Sequence, residues 1–324
     1  MTRRLSSRRL LTSSLALALA LAGCGGPKQE APLQIGPKAI EIGPLQAAGS
    51  GTAGFSRVPL DAKDIEWITA FRVEPTVASA ATRGWNADLR LANGTRLFAA
   101  APGMPPIVFP AGFGMSVGQI LRDTPEGWRR ADLVGSVEEG LTPEDRMRVT
   151  LDAAPPRAQE SKEGPSPLKR LYVLSLPLLD ESIAEVPEPL ADYHLLTDPR
   201  VYWQVPAGGR QVRTAKFSYL VPTDSTVHYV AAWHAGPIRS VKITDLADGK
   251  VLWHGEAPDG AIPPFSSANG FPLIREHEYE VEAVFENAGC APESGAVALL
   301  VYYRPPGDEP FGYPFPPPGE EAAH

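Results

Sequence analysis

Apolar positions alternate most regularly with glutamates in the segment HEYEVEAVFEN, residues 277–287. The apolar side of this segment carries Tyr279, Val281, Ala283 and Phe285. A period of two with one covered face is typical of an antiparallel strand whose sheet packs on one side and meets water on the other. The continuous apolar run AVALLVYY at 296–303 predicts instead a central strand that is covered on both faces.

Turn residues separate such strands along the chain. The segment RSVKITDLADGKVLWHGE, residues 239–256, consists of two β-rich runs around Asp248 and Gly249, and an Asp-Gly pair in this setting predicts a β-hairpin. In the first half, DRMRVTLDA at 145–153 also alternates. The chain holds 35 Pro and 30 Gly and few stretches with helical periodicity. The sequence therefore predicts an all-β fold of short strands and turns.

Two strand-rich regions lie between segments of different composition. We expect them to form two tandem antiparallel jelly-roll-like β-sandwich domains, at 56–185 and 186–306. The segment before them, 25–55, is rich in Gly, Pro, Ala and Gln, which predicts a flexible tether. The segment after them, 307–324, is a Pro-rich tail for which two interpretations stay open: an extended disordered end or a polyproline recognition segment.

The first 24 residues have the composition of an export signal. Its basic start is formed by Arg3, Arg4, Arg8 and Arg9. The apolar run that follows, residues 10–22, is too short to span a bilayer, which takes roughly 20 residues. The run ends in LAGC, which is similar to a bacterial lipobox, so we expect Cys24 to be acylated with fatty acids such as palmitate and to become the mature N-terminus. The alternative is an ordinary signal peptide with an incidental cysteine.

Two features of this signal bear on the location of the protein. SRRLLT at 7–12 is a loose match to a twin-arginine signal, so twin-arginine and Sec export both stay open. Gly25 and Gly26 follow Cys24 without an aspartate, which in Gram-negative lipoproteins usually implies the outer membrane. We therefore expect a lipid-anchored protein of the bacterial cell envelope, on the periplasmic or the surface face, whose acyl chains make the membrane contact.

Charge and cysteine content narrow the function classes. The signal holds four Arg and no acid, so the rest of the chain has 26 basic against 38 acidic residues, a net charge of −12. Such a charge repels nucleic acid, which we exclude as a partner. Cys290 is the only other cysteine, so an acylated Cys24 would leave no intrachain disulfide.

A series of motifs in the second half resembles a known family. VYWQVPAGGRQV, TVHYVAAWHA, SVKITDLADGKVLW, FSSANGF and HEYEVEAVFEN follow one another over residues 201–287. The series is similar to the C-terminal domain of the type II copper, ascorbate-dependent monooxygenases, the family of peptidylglycine hydroxylating monooxygenase and dopamine β-monooxygenase. IEWITAFRVE and RLFAAAPGMPPIVFPAGFGMSV in the first half resemble this arrangement more weakly. The resemblance implies two jelly-roll-like sandwiches that each present a copper site to a solvent-filled cleft, for copper-dependent C–H hydroxylation.

The resemblance implies that histidines of the N-terminal domain hold the first copper ion. Residues 25–193 contain no histidine, and His194 is the first in the chain. Type II copper is bound by imidazole ligands. We therefore expect the N-terminal copper site to be absent.

For the second copper ion the resemblance implies a His-x-His pair on one strand and a methionine on a later strand. Alignment through TVHYVAAWHA places Trp233 and Ala235 at the two histidine positions. An alignment shifted by one residue would place His234 and Gly236 there. The C-terminal half contains no methionine, and Val297 stands at the methionine position. At most one of the three ligands remains, so we expect this site to be degenerate as well.

His228 and His234 are the remaining candidates for metal binding. In a regular strand these two side chains would share a face, because they are six positions apart, but six residues span about 20 Å at roughly 3.3 Å each. One ion could not bind both. A new metal site formed by His228, His254 and His277 is an alternative that the sequence leaves open.

These observations lead to a non-catalytic interpretation. We expect an envelope-anchored pseudoenzyme with no catalytic residues and no bound cofactor, which binds an envelope protein partner or has a structural role. One alternative is a divergent copper-dependent monooxygenase or redox protein with rearranged ligands. Another is a small-molecule binding module that uses the cleft between the domains, lined by Trp203, Trp233 and Trp253.

Overall fold

The architecture of the chain is almost entirely β. The computed structural model describes residues 33–47, 54–60, 65–76, 84–92, 94–124, 126, 129–137, 145–155, 168–178, 202–217 and 224–307. Within these residues the chain forms 20 β-strands and one short α-helix, and the sheets are built from antiparallel pairs with a single parallel exception. The predicted all-β fold of antiparallel, jelly-roll-like β-sandwiches is confirmed. The predicted signal peptide, Cys24 and the tail after Gly307 lie outside the described residues.

The N-terminal sandwich is built from ten strands and the helix. They are β1 (Gly36–Ile42), β2 (Gln46–Ala47), β3 (Gly54–Leu60), β4 (Trp67–Pro75), β5 (Trp85–Leu91), β6 (Arg96–Ala100), β7 (Ile107–Val108), β8 (Phe113–Gly114), α1 (Val117–Asp123), β9 (Ala131–Val137) and β10 (Met147–Ala154). One sheet has the order β1-β10-β4-β7 and the other β2-β3-β9-β5-β6. Alternate side chains of β10, such as Val149 and Leu151, are fully buried in a core shared with Leu89 and Leu133 of the second sheet.

The C-terminal sandwich is built from the remaining strands. They are β11 (Lys169–Arg170), β12 (Tyr172–Pro177), β13 (Trp203–Val205), β14 (Arg210–Phe217), β15 (Ser225–Ala235), β16 (Ile238–Asp245), β17 (Lys250–Glu256), β18 (Phe265–Leu273), β19 (Tyr279–Glu286) and β20 (Glu293–Arg304). The inner sheet has the order β12-β20-β15-β18, with β13 also paired to β20, and the outer sheet has the order β14-β19-β16-β17. Strand β11 departs from this plan, since it pairs in parallel with β8 of the other half.

The three clearest strand patterns of the C-terminal half are confirmed. On β19 the predicted apolar side chains, Tyr279 to Phe285 at every second position, are at most 1% exposed, and Lys242 and Lys216 pair with glutamates on the wet face. Strand β20 is covered on both faces, because Leu299 packs in the C-terminal core and Leu300 in the N-terminal core. The hairpin forms between β16 and β17, with a positive φ of 70° at Gly249.

The prediction of a flexible tether over 25–55 is wrong for the two strands that lie inside it. Strand β1 pairs with β10 along its whole length, from Gly36 opposite Ala153 to Ile42 opposite Met147. Ile42 is completely buried. The Gly and Pro content of this segment obscured a short apolar alternation, and burial of its apolar side chains in the N-terminal core stabilises the strand.

The predicted boundary between the sandwiches, at residue 186, also needs correction. Strand β12 lies before that boundary but pairs along its length with β20, from Tyr172 opposite Tyr303 to Pro177 opposite Ala298. The C-terminal inner sheet therefore takes an edge strand from the first half of the chain. Sequence position could not reveal this, because the pairing partner is more than a hundred residues away.

Aromatic side chains join the two sandwiches directly. Tyr229 and Tyr302 of the inner C-terminal sheet belong to the same buried cluster as the N-terminal core. The Tyr302 hydroxyl donates a hydrogen bond of 2.9 Å to the Leu97 carbonyl oxygen, and its ring lies 4.8 Å from the Phe109 ring in an edge-to-face contact. Along this part of the junction the sandwiches share a packed core rather than a water-filled cleft.

Candidate functional site

Strand β15 carries the residues that the sequence singled out, and it contains a β-bulge. Val227 is opposite Tyr303 and Tyr229 is opposite Tyr302, so His228 is an extra residue with no partner across the ladder. A bulge of this kind shifts the alternation of side chains by one position. After the bulge, Tyr229 and Ala231 face the N-terminal core, and Val230 and Ala232 face the C-terminal core.

His228 lies on the side of the sheet that faces the N-terminal sandwich. Its ring centroid is 4.2 Å from that of Phe113, a residue of the N-terminal core. Its Nδ1 donates to the Ser267 carbonyl oxygen at 3.1 Å, so Nε2 is the acceptor in the neutral ring. Burial lowers the pKa of His228 and the bond to Ser267 opposes this, while the positive charge of Lys169 lowers the pKa further. His228 is therefore a junction residue held as neutral imidazole.

His234 lies on the opposite side of the same sheet. It is directly opposite Val297, a fully buried residue of the C-terminal core, and directly opposed residues share a face. His234 is 8% exposed, and neither ring nitrogen has a hydrogen-bond partner among the described residues. Burial lowers its pKa from 6.5 to about 4. The ring is therefore neutral at pH 7.

The expectation that His228 and His234 share a face is wrong. The bulge at His228 reverses the alternation between them, so one ring contacts Phe113 of the N-terminal core and the other lies beside Val297 of the C-terminal core. The sheet itself separates the two imidazoles. A regular-strand argument from sequence could not include this reversal, because nothing in the residue types around the bulge marks it.

Trp233 and Val297, two of the expected degenerate ligand positions, are also separated by the sheet. Trp233 is 1% exposed and packs on the small side chains of Ala101, Ala296 and Ala298, with Ala235 beside it. Val297 is fully buried on the other face. Trp233 and Ala235 thus share one apolar surface, whereas Val297 belongs to the C-terminal core.

The alternative metal site formed by His228, His254 and His277 is not present. His254 is exposed on β17, and the Nδ1 atom of His277 is 2.7 Å from the Asp245 carboxylate on another part of the sandwich. Among the residues that the structure describes, no group of three His, Cys, Asp or Glu side chains could hold a metal ion.

Trp203, Trp233 and Trp253 do not line a common cleft. All three are at most 8% exposed. Trp203 and Trp253 pack in the C-terminal core, whereas Trp233 belongs to the separate cluster around Ala101. Their indole rings therefore contribute packing to different parts of the molecule, as aromatic residues on strands commonly do.

Sequence reasoning missed the tyrosines that close the junction. Tyr229 and Tyr302 lie on predicted strands, but their partners Pro106, Val108 and Leu97 lie in the other half of the chain. A tyrosine within an otherwise apolar buried run is the available signal, since its hydroxyl requires a hydrogen-bond partner when it is buried.

The described residues contain no helix with the length and hydrophobicity of a membrane span.

Comparisons with known proteins leave the family open. No family model matches the sequence, and no curated protein matches it. Among solved structures, that of Sulfolobus turreted icosahedral virus is 8% identical, with 82% of this chain and 58% of that chain covered and a TM-score of 0.21. The chain thus spans less than two thirds of that structure.

Two further solved structures match the chain with TM-scores of the same size. The T=1 particles derived from infectious bursal virus are 9% identical over 87% of this chain and 72% of that chain, with a TM-score of 0.21. A fucolectin from striped bass (Morone saxatilis) serum is 13% identical over 82% of this chain and 85% of that chain, also with a TM-score of 0.21. Scores of this size carry no argument, so the architecture rests on the strand pairing itself.

Proposed function

We propose that this protein is an envelope-anchored lipoprotein whose sandwiches resemble those of the copper monooxygenases but act as a non-catalytic binding or structural module. The observation that carries this proposal is the bulge at His228. It places His228 and His234 on opposite faces of the inner sheet, so the two imidazoles cannot ligate one ion. Trp233 and Ala235, at the expected histidine positions, belong to an apolar cluster with Ala101, Ala296 and Ala298.

The ligand inventory supports the same proposal. Between residues 25 and 193 the chain has no histidine, and after Met147 it has no methionine. A type II copper ion takes imidazole ligands, and a thioether is the soft ligand that the family adds. The first half of the chain therefore lacks the histidines, and the second half lacks the methionine, that the resemblance implies for the two copper sites.

The partner that suits this proposal is a protein of the envelope. The exported chain carries a net charge of −12, which disfavours nucleic acids and anionic lipid headgroups. An acidic module of this kind associates fastest with a surface of opposite charge. A basic partner surface is therefore expected, with association that weakens as salt concentration rises.

Copper binding tests the loss of the sites. We expect protein purified from copper-replete cells to contain well under one copper ion per chain, and His228→Ala and His234→Ala to leave that amount unchanged. The physical reason is that a lone imidazole on either face supplies one ligand where a stable site needs several. Metal analysis of the purified chain by mass spectrometry measures this directly.

A gain-of-ligand variant provides the matched control for the copper assay. Replacing Trp233 and Ala235 together by histidine restores two imidazoles on one face of β15 and is expected to raise copper retention above that of the natural chain. Stoichiometric copper in the natural chain that disappears in His234→Ala would overturn the proposal and favour the divergent redox protein.

The membrane anchor is tested separately at the cysteines. We expect Cys24→Ser to abolish incorporation of labelled palmitate and to move the protein from the membrane fraction to the soluble fraction, because acyl chains alone provide the attachment. Cys290→Ser is the matched control, since Cys290 is an exposed free thiol and its loss should change neither result. Retention of label in Cys24→Ser would show that the cysteine in LAGC is incidental.

A further inference from the structure

The C-terminal core contains a small region where polar atoms meet. On β13, Trp203 is directly opposite Gly295 of β20. Because Gly295 has no side chain, the indole of Trp203 leans over it, and its Nε1 atom lies 3.0 Å from the point that a Cβ on Gly295 would occupy. Phe285 of the outer sheet covers this point, with its ring in an edge-to-face contact with the indole at 5.2 Å. The donor edge of Trp203 is therefore inside the sandwich.

His234 faces the same region from the neighbouring strand. His234 is directly opposite Val297 of β20. Val297 and Gly295 lie on the same face of β20, because they are two positions apart. His234 and Gly295 are thus diagonal neighbours, whose Cβ positions lie roughly 7 Å apart in an antiparallel pair. The Nε1 atom of Trp203, placed directly above Gly295, is consequently within reach of the imidazole through one intervening small molecule.

The polar atoms of this pair have no protein partners. Trp203 is 4% exposed, and its Nε1–H donates to no acceptor in the described residues. His234 is 8% exposed, and both its nitrogens lack partners there. A neutral imidazole has one donor and one acceptor, whereas an indole has a donor alone. Buried polar groups in native proteins are nearly always hydrogen-bonded, to ordered water where protein groups do not reach.

We propose that Trp203 and His234 together bind one buried water molecule above Gly295. The indole Nε1–H donates to the water oxygen, and the water donates one hydrogen to the unprotonated nitrogen of His234. Two hydrogen bonds of about 2.9 Å span roughly 5 Å between the two nitrogens, which is the separation that one bridging water requires. The water thus provides a hydrogen-bond partner for one polar atom of each side chain.

The chemistry of the pair favours water over other small ligands. Indole nitrogen has no free lone pair for a metal ion, and a single imidazole does not form a site. The Arg213 guanidinium lies over the face of the Trp203 ring, 5.3 Å from its centroid, but an anion at the Nε1 edge would still lose most of its hydration, which is strongly unfavourable. The region lies in a buried apolar cluster that includes Val297, Phe285 and Trp203, which favours a ligand as small as water.

A crystal structure at about 1.5 Å resolution tests the site by direct observation. A density peak within hydrogen-bond distance of both Trp203 Nε1 and a ring nitrogen of His234 is the expected result. The proposal is wrong if the two nitrogens bond to protein groups in that structure, or if the region is filled by side chains alone.

A double-mutant cycle tests the same water in solution. We expect the effects of Trp203→Phe and His234→Leu to be coupled. The fold-change in the unfolding equilibrium constant of the double variant should be roughly tenfold smaller than the product of the fold-changes of the two single variants. The measurement uses chemical denaturation above pH 7, where the imidazole is neutral in both states. Trp253→Phe is the matched control, because it removes an indole from the same core at a position that does not face His234. The fold-change of the Trp253→Phe, His234→Leu double variant should equal the product of the two single fold-changes to within about twofold. Equal behaviour of the two tryptophan variants would overturn the proposal.

Nuclear magnetic resonance of the natural chain covers the case in which a variant does not fold. Cross-relaxation peaks are expected between water and the Trp203 indole proton and between water and the His234 ring. An indole proton or a His234 ring without such a peak would contradict the bound water.

Discussion

Replacing Phe98 by alanine is expected to lower the free energy of unfolding by about 3–5 kcal/mol, the range for removing a fully buried aromatic ring. Phe98 is completely buried. Its ring is stacked on Phe71 at 5.3 Å and contacts Phe109 at 5.7 Å and Tyr302 at 5.8 Å. The substitution therefore leaves a cavity in which both sandwiches lose contacts. Chemical denaturation followed by circular dichroism measures the change.

Phe55→Ala is the matched control for this prediction. Phe55 lies in the same half of the chain but is 42% exposed, and surface substitutions usually change stability by no more than about 0.5 kcal/mol. Because Tyr302 belongs to the C-terminal sheet, Phe98→Ala should shift one common transition of both sandwiches. A loss below about 1 kcal/mol, or a second transition that the variant leaves in place, would show that the junction does not couple the halves.

Local patterns predicted the strands of the outer C-terminal sheet well. The alternation in β19 and the Asp-Gly turn between β16 and β17 depend on side chains that are adjacent along the chain or directly across a hairpin. The unbroken apolar run of β20 correctly indicated burial on both faces. In each of these cases the physical cause of the pattern, a covered face or a tight turn, lies within a few residues of the pattern itself.

Features that depend on distant pairings could not be predicted in this way. Strand β1 is held by β10, and strand β12 by β20, and neither segment shows its partner in its own sequence. The short, Gly- and Pro-interrupted segment of β1 has the composition of a linker, although Ile42 and Leu45 are buried. Tertiary packing decided the structure of these strands against their local composition.

The candidate site shows the same limit at the scale of one residue. The spacing of His228 and His234 suggested a shared face, yet a single extra residue in β15 reversed it. The location of Val297 on the face opposite to Trp233 depends on the register of β15 with β20 and could not be read from either segment alone. A predicted ligand set is therefore only as reliable as the predicted register.

Acidification is expected to destabilise the protein through His234. Burial lowers its pKa from 6.5 to about 4 in the folded chain, so between these values the unfolded chain binds a proton that the folded chain does not. Above pH 6.5 His234 therefore does not reduce the free energy of unfolding. This free energy falls as the pH decreases from 6.5, and below about pH 4 His234 lowers it no further. A shift of this size corresponds to a loss of about 3 kcal/mol. The lowered pKa of His228 acts in the same direction.

Chemical denaturation at a series of pH values measures this effect in the natural chain and in His234→Leu. Leucine has no proton to gain, so the variant should keep its stability from pH 6.5 to pH 4 better than the natural chain by about 3 kcal/mol. His254→Leu is the matched control, since His254 is exposed and loses little hydration on folding, and it should retain the slope of the natural chain. Parallel pH profiles for the natural chain and His234→Leu would mean that burial of the His234 ring does not control acid stability.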